Sequence, residues 1–344
     1  MKNSLRHRLV VATTALVLAA PALRDAVAAT PASAPALRFL SAAEARSALT
    51  EGPEKQYFEN LQLSEMRAKT GLALTGMSLA AAREQARKHY ASEVLEFTPD
   101  ERAAVEGVVI RLTPSLRQKA PLFARTGWSF LKVSSSVEGG LPHTRGAHIV
   151  LSPEVLVPFV VLYKRGRLAE LDSFAANLMV HEQSHVVQRQ NPALFATLNT
   201  EVLGFRRIDP APLTAWLLER GVVNPDAPDC GWAYPVGEGS SRRWIMPYLL
   251  LREGERPRMP QDFLLAGLDL VNANGGWSIV ERNGKPQVEP LAGIAEYNRA
   301  FPDPSQAYHP NEISADILAG WITGQPTDHP LSLKVSKWAT EHLR

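Results

Sequence analysis

Five consecutive residues, His181-Glu182-Gln183-Ser184-His185, constrain this chain more than any other stretch. They lie at the end of an apolar, helix-compatible run from Leu171 to Val187. On a helix, residues i and i+4 stand one turn apart on the same face. Two imidazoles so spaced can converge on one point, which is how a helix grips a zinc ion. Glu182 can then reach a water at that ion, whose pKa falls toward neutrality, and take its proton. Two incidental surface histidines would spell the same five letters, so the rest of the chain has to decide.

A catalytic zinc takes three protein ligands and keeps one position open. The stretch Tyr308-His309-Pro310-Asn311-Glu312-Ile313-Ser314-Ala315-Asp316 offers the third. Pro310 and Asn311 open a helix, Glu312 falls in its first turn, and Asp316 lies four residues on along the same face. A carboxylate there can accept a hydrogen bond from the far nitrogen of a ligating imidazole. Glu201 is a rival third ligand, only 16 positions beyond His185, but Phe205 stands where its partner carboxylate would be. A first-turn Glu312 could also serve the helix dipole alone, which would leave Asp316 unexplained.

His-Glu-x-x-His followed by Asn-Glu-x-x-x-Asp resembles the thermolysin-like gluzincin metallopeptidases, and Glu-x-x-Ala-Asp is similar to the integral-membrane zinc peptidases of the same clan. The resemblance implies zinc bound by His181, His185 and Glu312, Glu182 as general base, and Asp316 orienting a zinc histidine. It covers two short segments. The 127 positions between His185 and Glu312 far exceed the connection in thermolysin-like enzymes, and no third histidine of the metzincin kind follows the motif.

Lys2, Arg6 and Arg8, then the apolar run Leu9 to Leu23, then Ala26-Val27-Ala28 read as a secretory signal peptide over residues 1–28. The run is short for a membrane span, so no stable membrane insertion is expected after cleavage. Removing this segment turns the formal charge of +2 into −1, which gives no reason to bind nucleic acid or an anionic membrane. Cys230 is the only cysteine, so no intrachain disulfide forms, and nothing near it would activate a thiolate. The expected location is the bacterial periplasm or the exterior.

The remaining 29–344 have an ordinary globular balance, with 45% hydrophobic and 21% charged residues in the whole chain. Residues 29–40 read as a disordered lead-in. Helices are expected over 41–48, over 77–97 with Ser78 as cap, and from Thr98-Pro99 to about Leu112, where Thr113-Pro114 interrupts. Strands follow at 128–134 and 147–151, then a buried helix at 155–163 and the histidine helix. Helices at 193–203 and 210–220 come next. The Pro-, Gly- and Asp-rich 224–241 reads as a long loop opening a second lobe. Strands at 244–251 and 276–291 follow, with Asn283-Gly284 as a hairpin turn, then helices at 294–300, 311–321 and 331–343. This order predicts an α+β, zincin-like fold: a small mixed sheet packed on one face by helices in 41–223, with an inserted α/β elaboration and a helical C-terminal part in 224–344 supplying the distal Glu.

Tyr308 and His309 are candidate oxyanion donors, with Tyr297 and His329 as weaker ones. Arg189 reads as an electrostatic cap on the histidine helix. The strand Ala147–Leu151 could pair with an extended peptide. No Gly-x-Ser-x-Gly elbow or phosphate-binding glycine loop occurs. The expected function is therefore an exported zinc metallohydrolase, a peptidase acting on peptide or protein substrates. The alternative is an exported protein with a structural or sensory zinc site. Oligomeric state and cleavage preference are left open.

Overall fold

Five strands form the first sheet: β1 (Leu37–Phe39), β2 (Val94–Leu95), β3 (Trp128–Val133), β4 (His143–Arg145) and β5 (His148–Leu151). The computed structural model describes residues 36–344 apart from 210, 253, 255, 256, 274, 304–306, 326 and 327, so the expected signal segment and residues 29–35 lie outside it. The order is β1-β3-β5-β4, with β2 on β3. Pairing is parallel for β1–β3 and β3–β5 and antiparallel for β2–β3 and β4–β5. Leu37–Phe39 was expected to be disordered; instead it pairs with Trp128, Ser129 and Phe130.

β3 is buried at nearly every position, the mark of a strand covered on both faces. Trp128 and Phe130 join a core with Phe159, Val180 and Val187. Leu131 and Val133 point into a separate core with Leu49, Phe58 and Tyr90. Helices therefore cover both faces of the sheet, not one. The helices Ala42–Thr50 and Leu79–Ser92 take the second face, the latter capped by Ser78 as expected.

The helix Pro99–Lys119 begins at Thr98 with a capping box to Glu101, but it runs through Pro114. Tertiary contacts carry it past the expected stop. Leu112 and Leu116 are in the main core, and Ser115 and Lys119 donate to carbonyls of Trp321 and Ile322. The helix Pro153–Lys164 is not the buried helix expected: Leu156 and Phe159 are inside, while Val157 and Val161 are exposed. The histidine helix spans Leu168–Gln190. Asn191 and Pro192 start the next helix as expected, but after Thr197 it widens into a π turn, Leu198–Val202. The helix expected over 210–220 is confined to Ala215–Arg220, after Thr214 as cap.

The second sheet contains β6 (Arg206–Arg207), β7 (Trp232–Val236), β8 (Arg243–Leu251), β9 (Phe263–Ala273) and β10 (Gly276–Ile279) in the order β10-β9-β8-β7-β6. A short hairpin follows, β11 (Glu281–Arg282) and β12 (Lys285–Pro286), and β13 (Val288–Pro290) adds to β9. Asn283 and Gly284 turn the hairpin, both with positive φ, as the Asn-Gly pair predicts. β7 falls inside the stretch expected to be a loop, and β9, the longest strand described, was not anticipated at all. Trp232, Ile245, Leu291 and Tyr297 share the main core with Val180 and Phe195, so one core spans position 223. The glutamate helix, Pro310–Thr323, joins that core through Ile313, Ile317 and Leu318. No helix among the described residues is long and apolar enough to cross a membrane.

One ion pair between helix and sheet is well shielded. Lys132 Nζ stands 2.8 and 2.9 Å from the two oxygens of Glu101, with the side chains only 9% and 10% exposed. Removing one partner strands the other charge. Lys132→Ala is expected to lower unfolding stability by about 3–5 kcal/mol. Lys132→Met with Glu101→Gln, which keeps a side chain able to close the capping box, should recover most of it. Denaturant unfolding measures both; a single variant no worse than the double would show the pair is not shielded.

Candidate metal centre

The helical spacing brings His181 and His185 together as anticipated. Their Nε2 atoms are 3.1 Å apart and their ring planes differ by 78°. Glu312 Oε2 lies 3.3 Å from His181 Nε2 and 3.6 Å from His185 Nε2. A tetrahedral zinc with bonds of about 2.0–2.1 Å keeps its ligand atoms about 3.3 Å apart. The three atoms thus already stand at the separations such an ion requires, and these three residues form the one His/Cys/Asp/Glu group of metal-holding geometry among the described residues.

Each ligand is aimed by a further contact. His181 Nδ1 faces Asp316 Oδ1 at 3.6 Å, the carboxylate one turn beyond Glu312. His185 Nδ1 is 2.9 Å from Gln188 Oε1, and an amide oxygen only accepts, so Nδ1 carries the proton and Nε2 keeps its lone pair. Gln188 Nε2 in turn donates to Asn311 O and Ser314 Oγ on the glutamate helix. Glu312 Oε1 accepts from Asn224 Nδ2 at 2.8 Å, which leaves Oε2 for the centre.

Electrostatics fit a cation site. Burial opposes the charged form of His181, but Asp316 and Glu312 outweigh it and lift its pKa well above the ordinary value. Burial likewise opposes charge on His185, and Glu312 and Asp226 raise its pKa. Burial opposes ionisation of Glu312, yet His185 and His181 hold it well below the usual carboxylate range. A divalent cation takes the place of such protons and releases them. Glu182 is different. It is 4% exposed, its Oε2 has no hydrogen-bond partner, and burial, then Asp226, pushes its pKa up to about 8.

His181, Glu182, Glu312 and Asp316 all open onto one cleft of about 630 Å³, a size that holds a small ligand or a stretch of peptide. Tyr308 lines it too. Its hydroxyl meets Asn224, and burial and Glu312 raise its pKa far enough to keep it protonated. His309 is not part of the site: its Nδ1 caps the glutamate helix through Asn311 N, and its Nε2 lies 3.6 Å from Asp229. Tyr297 is buried, its hydroxyl on Ala307 O, and His329 caps the C-terminal helix. Glu201 is exposed on the π turn and takes no part in the centre. Cys230 is inert, burial pushing its thiol up to about 11.

The expected peptide-pairing strand is misplaced. β5 is flanked by β3 and β4 and has no free edge. The edge strand on that side is β4, and its outward groups at Thr144 are taken: the N–H by Asp226 at 2.8 Å, the carbonyl by Arg189 at 3.3 Å. Arg189 stands in the last turn of the histidine helix as expected, and it is also a tie, since it reaches Pro225 O and Asp226 Oδ1. Asn224, Asp226 and Gln188 went unrecognised in the sequence. Asn224-Pro225-Asp226 reads as turn chemistry, and a glutamine three residues past a histidine carries no signal of its own. No protein-family model, curated protein or solved structure matches this chain, so the geometry around Glu182 carries the functional reading by itself.

Proposed function

We propose that this chain is an exported zinc-dependent hydrolase of zincin-like build that cleaves peptide bonds. Export is carried by the sequence of residues 1–28 alone. The single observation behind the catalytic reading is Glu182: a buried carboxylate with an unpartnered oxygen, in a cleft, beside three converging ligand atoms. A structural zinc closes its shell with a fourth protein ligand and has no use for a base. Two imidazoles and a carboxylate suit zinc better than a hard cation such as calcium.

His181, His185 and Glu312 would hold the ion. When bound, it would supply Lewis acidity, acidifying a water and polarising the scissile carbonyl. The chain's own residues do the rest. Asp316 and Gln188 hold the imidazoles in the tautomer that leaves Nε2 free. Asn224 turns Glu312 so that Oε2 faces inward. Glu182 Oε2 takes the proton of the attacking water and passes it to the leaving amine. The Tyr308 hydroxyl, which keeps its proton, donates to the oxygen on which charge develops.

Elemental analysis of the purified protein is expected to find about one zinc per chain, lost on His181→Ala or Glu312→Ala and kept on Glu201→Ala. Undiminished zinc binding by Glu312→Ala would overturn the ligand assignment. Glu182→Gln is expected to retain the metal while hydrolysis of a diverse peptide library falls about 10²–10⁴-fold. A variant as active as wild type removes Glu182 from the mechanism. Gln188→Ala and Asp316→Ala should each weaken zinc about 10–100-fold, read by competition with a chelator; unchanged affinities would reduce both contacts to packing.

A further inference from the structure

The cleft holds a second polar cluster that this hydrolysis does not use. Glu138 lines it, 1% exposed and with a positive φ of 50°, a conformation a non-glycine residue holds only when its surroundings enforce it. The enforcement is visible. Glu138 Oε1 accepts from the Tyr57 and Tyr90 hydroxyls, and at Gly139 a Cβ would come within 2.9 Å of Met259 O. Glu138 Oε2 has no hydrogen bond. Among the described residues its ion-pair partner is Lys69 Nζ at 3.2 Å, and that ammonium is shared with Glu65 at 3.0 Å while donating to Tyr57 and Val223 O. Burial opposes the charged form of Glu138, but Lys69 above all holds its pKa below the usual carboxylate range, whereas burial raises that of Glu65.

His143 lines the same cleft at 3% exposure. Its Nδ1 is 3.0 Å from Leu141 O, so Nδ1 holds the proton. Nε2 is then a bare acceptor, and it is buried without a partner. Burial keeps the imidazole neutral, against the pull of Glu138 and Asp226. Two buried acceptors without a hydrogen bond, one of them on a carboxylate that stays ionised, are the complement of a cation that donates hydrogen bonds.

We infer that Glu138 Oε2 and His143 Nε2 form a subsite for a primary ammonium group of the substrate. A phosphate or carboxylate brings only more acceptors and more negative charge, and a neutral amide leaves the charge unmatched. The ammonium can come from a peptide N-terminus or a lysine side chain. The inference rests on the peptidase reading for the nature of the substrate, so its test reads binding apart from cleavage.

Four peptide pools, randomised elsewhere, combine a free or acetylated N-terminus with lysine or norleucine. Affinities are measured on the zinc-loaded Glu182→Gln chain and kcat/KM on wild type. Pools with the recognised ammonium are expected to bind about 10- to 100-fold more tightly than the acetylated norleucine pool. Comparing the two singly charged pools tells N-terminus from lysine. Glu138→Gln, which keeps an oxygen for both tyrosines, should abolish the preference. His143→Phe should reduce it, and it serves where Glu138→Gln does not fold because Lys69 loses its partner. Equal affinities for all four pools, no binding of any, or a preference unchanged in a folded variant would overturn the subsite. Selective binding without cleavage by wild type would leave the subsite standing and sink the peptidase.

Discussion

The centre depends on a clamp between two helices far apart in sequence. Gln188 holds His185 with its oxygen and the first turn of the glutamate helix with its nitrogen. One amide thus fixes an imidazole tautomer and the register in which Glu312 arrives. The 127 positions between His185 and Glu312 are less of an obstacle than they look. Loop-closure entropy grows only with the logarithm of length, about 0.6 kcal/mol per doubling. A shared core offsets it: Ile313, Ile317 and Leu318 pack with Val180 and Val187, and burying each such side chain is worth about 1.5–3 kcal/mol. Lys119 and Ser115 fix the far end of the glutamate helix through the Trp321 and Ile322 carbonyls.

The second tie is the turn at 224–226. Asn224 holds Glu312, and Asp226 holds the edge strand at Thr144. Arg189, one turn past His185, grips Pro225 and Asp226. Strand, turn and both helices are therefore joined by polar contacts around one point, so the site is pre-organised before any ligand enters. Asp226 also acts at a distance: with burial, it raises Glu182 toward neutrality. The residue that secures the frame thus acts on the proposed base as well.

What the sequence revealed follows a physical boundary. The pairing of His181 with His185, and of Glu312 with Asp316, was legible because it is local: two residues four apart on a helix share a face whatever the rest does. Ser78, Thr98 and Asn283-Gly284 were legible for the same reason. What depended on tertiary packing was not. Pro114 reads as a stop, yet core contacts carry the helix to Lys119. β9 was missed because its apolar run carries no period-2 alternation, and Gly267, pressed against Ile294, reads as a break. His309 beside Glu312 looked catalytic from its neighbours in sequence, but its ring turns to Asp229 and to the helix cap. The β5 strand looked like an edge because no sequence shows which neighbours a strand will find.

The unpartnered buried atoms argue for what enters the cleft. Folded proteins satisfy nearly all buried polar groups, so an open one calls for a partner such as a water, an ion or a ligand. Among the described residues, four side chains with such atoms line the cleft: Glu138, His143, Asn177 and Glu182. Three of the open atoms are acceptors in the tautomer that Leu141 O imposes on His143, and the fourth belongs to Glu182, whose pKa is raised. A cleft lined by open acceptors together with His181 and Glu312 suits the proposed metal cation and a substrate with N–H donors. A peptide has a donor at nearly every residue and an ammonium at its start, whereas a phosphate ester or a carboxylate has neither. The pattern of open atoms is thus compatible with the proposed peptide substrate.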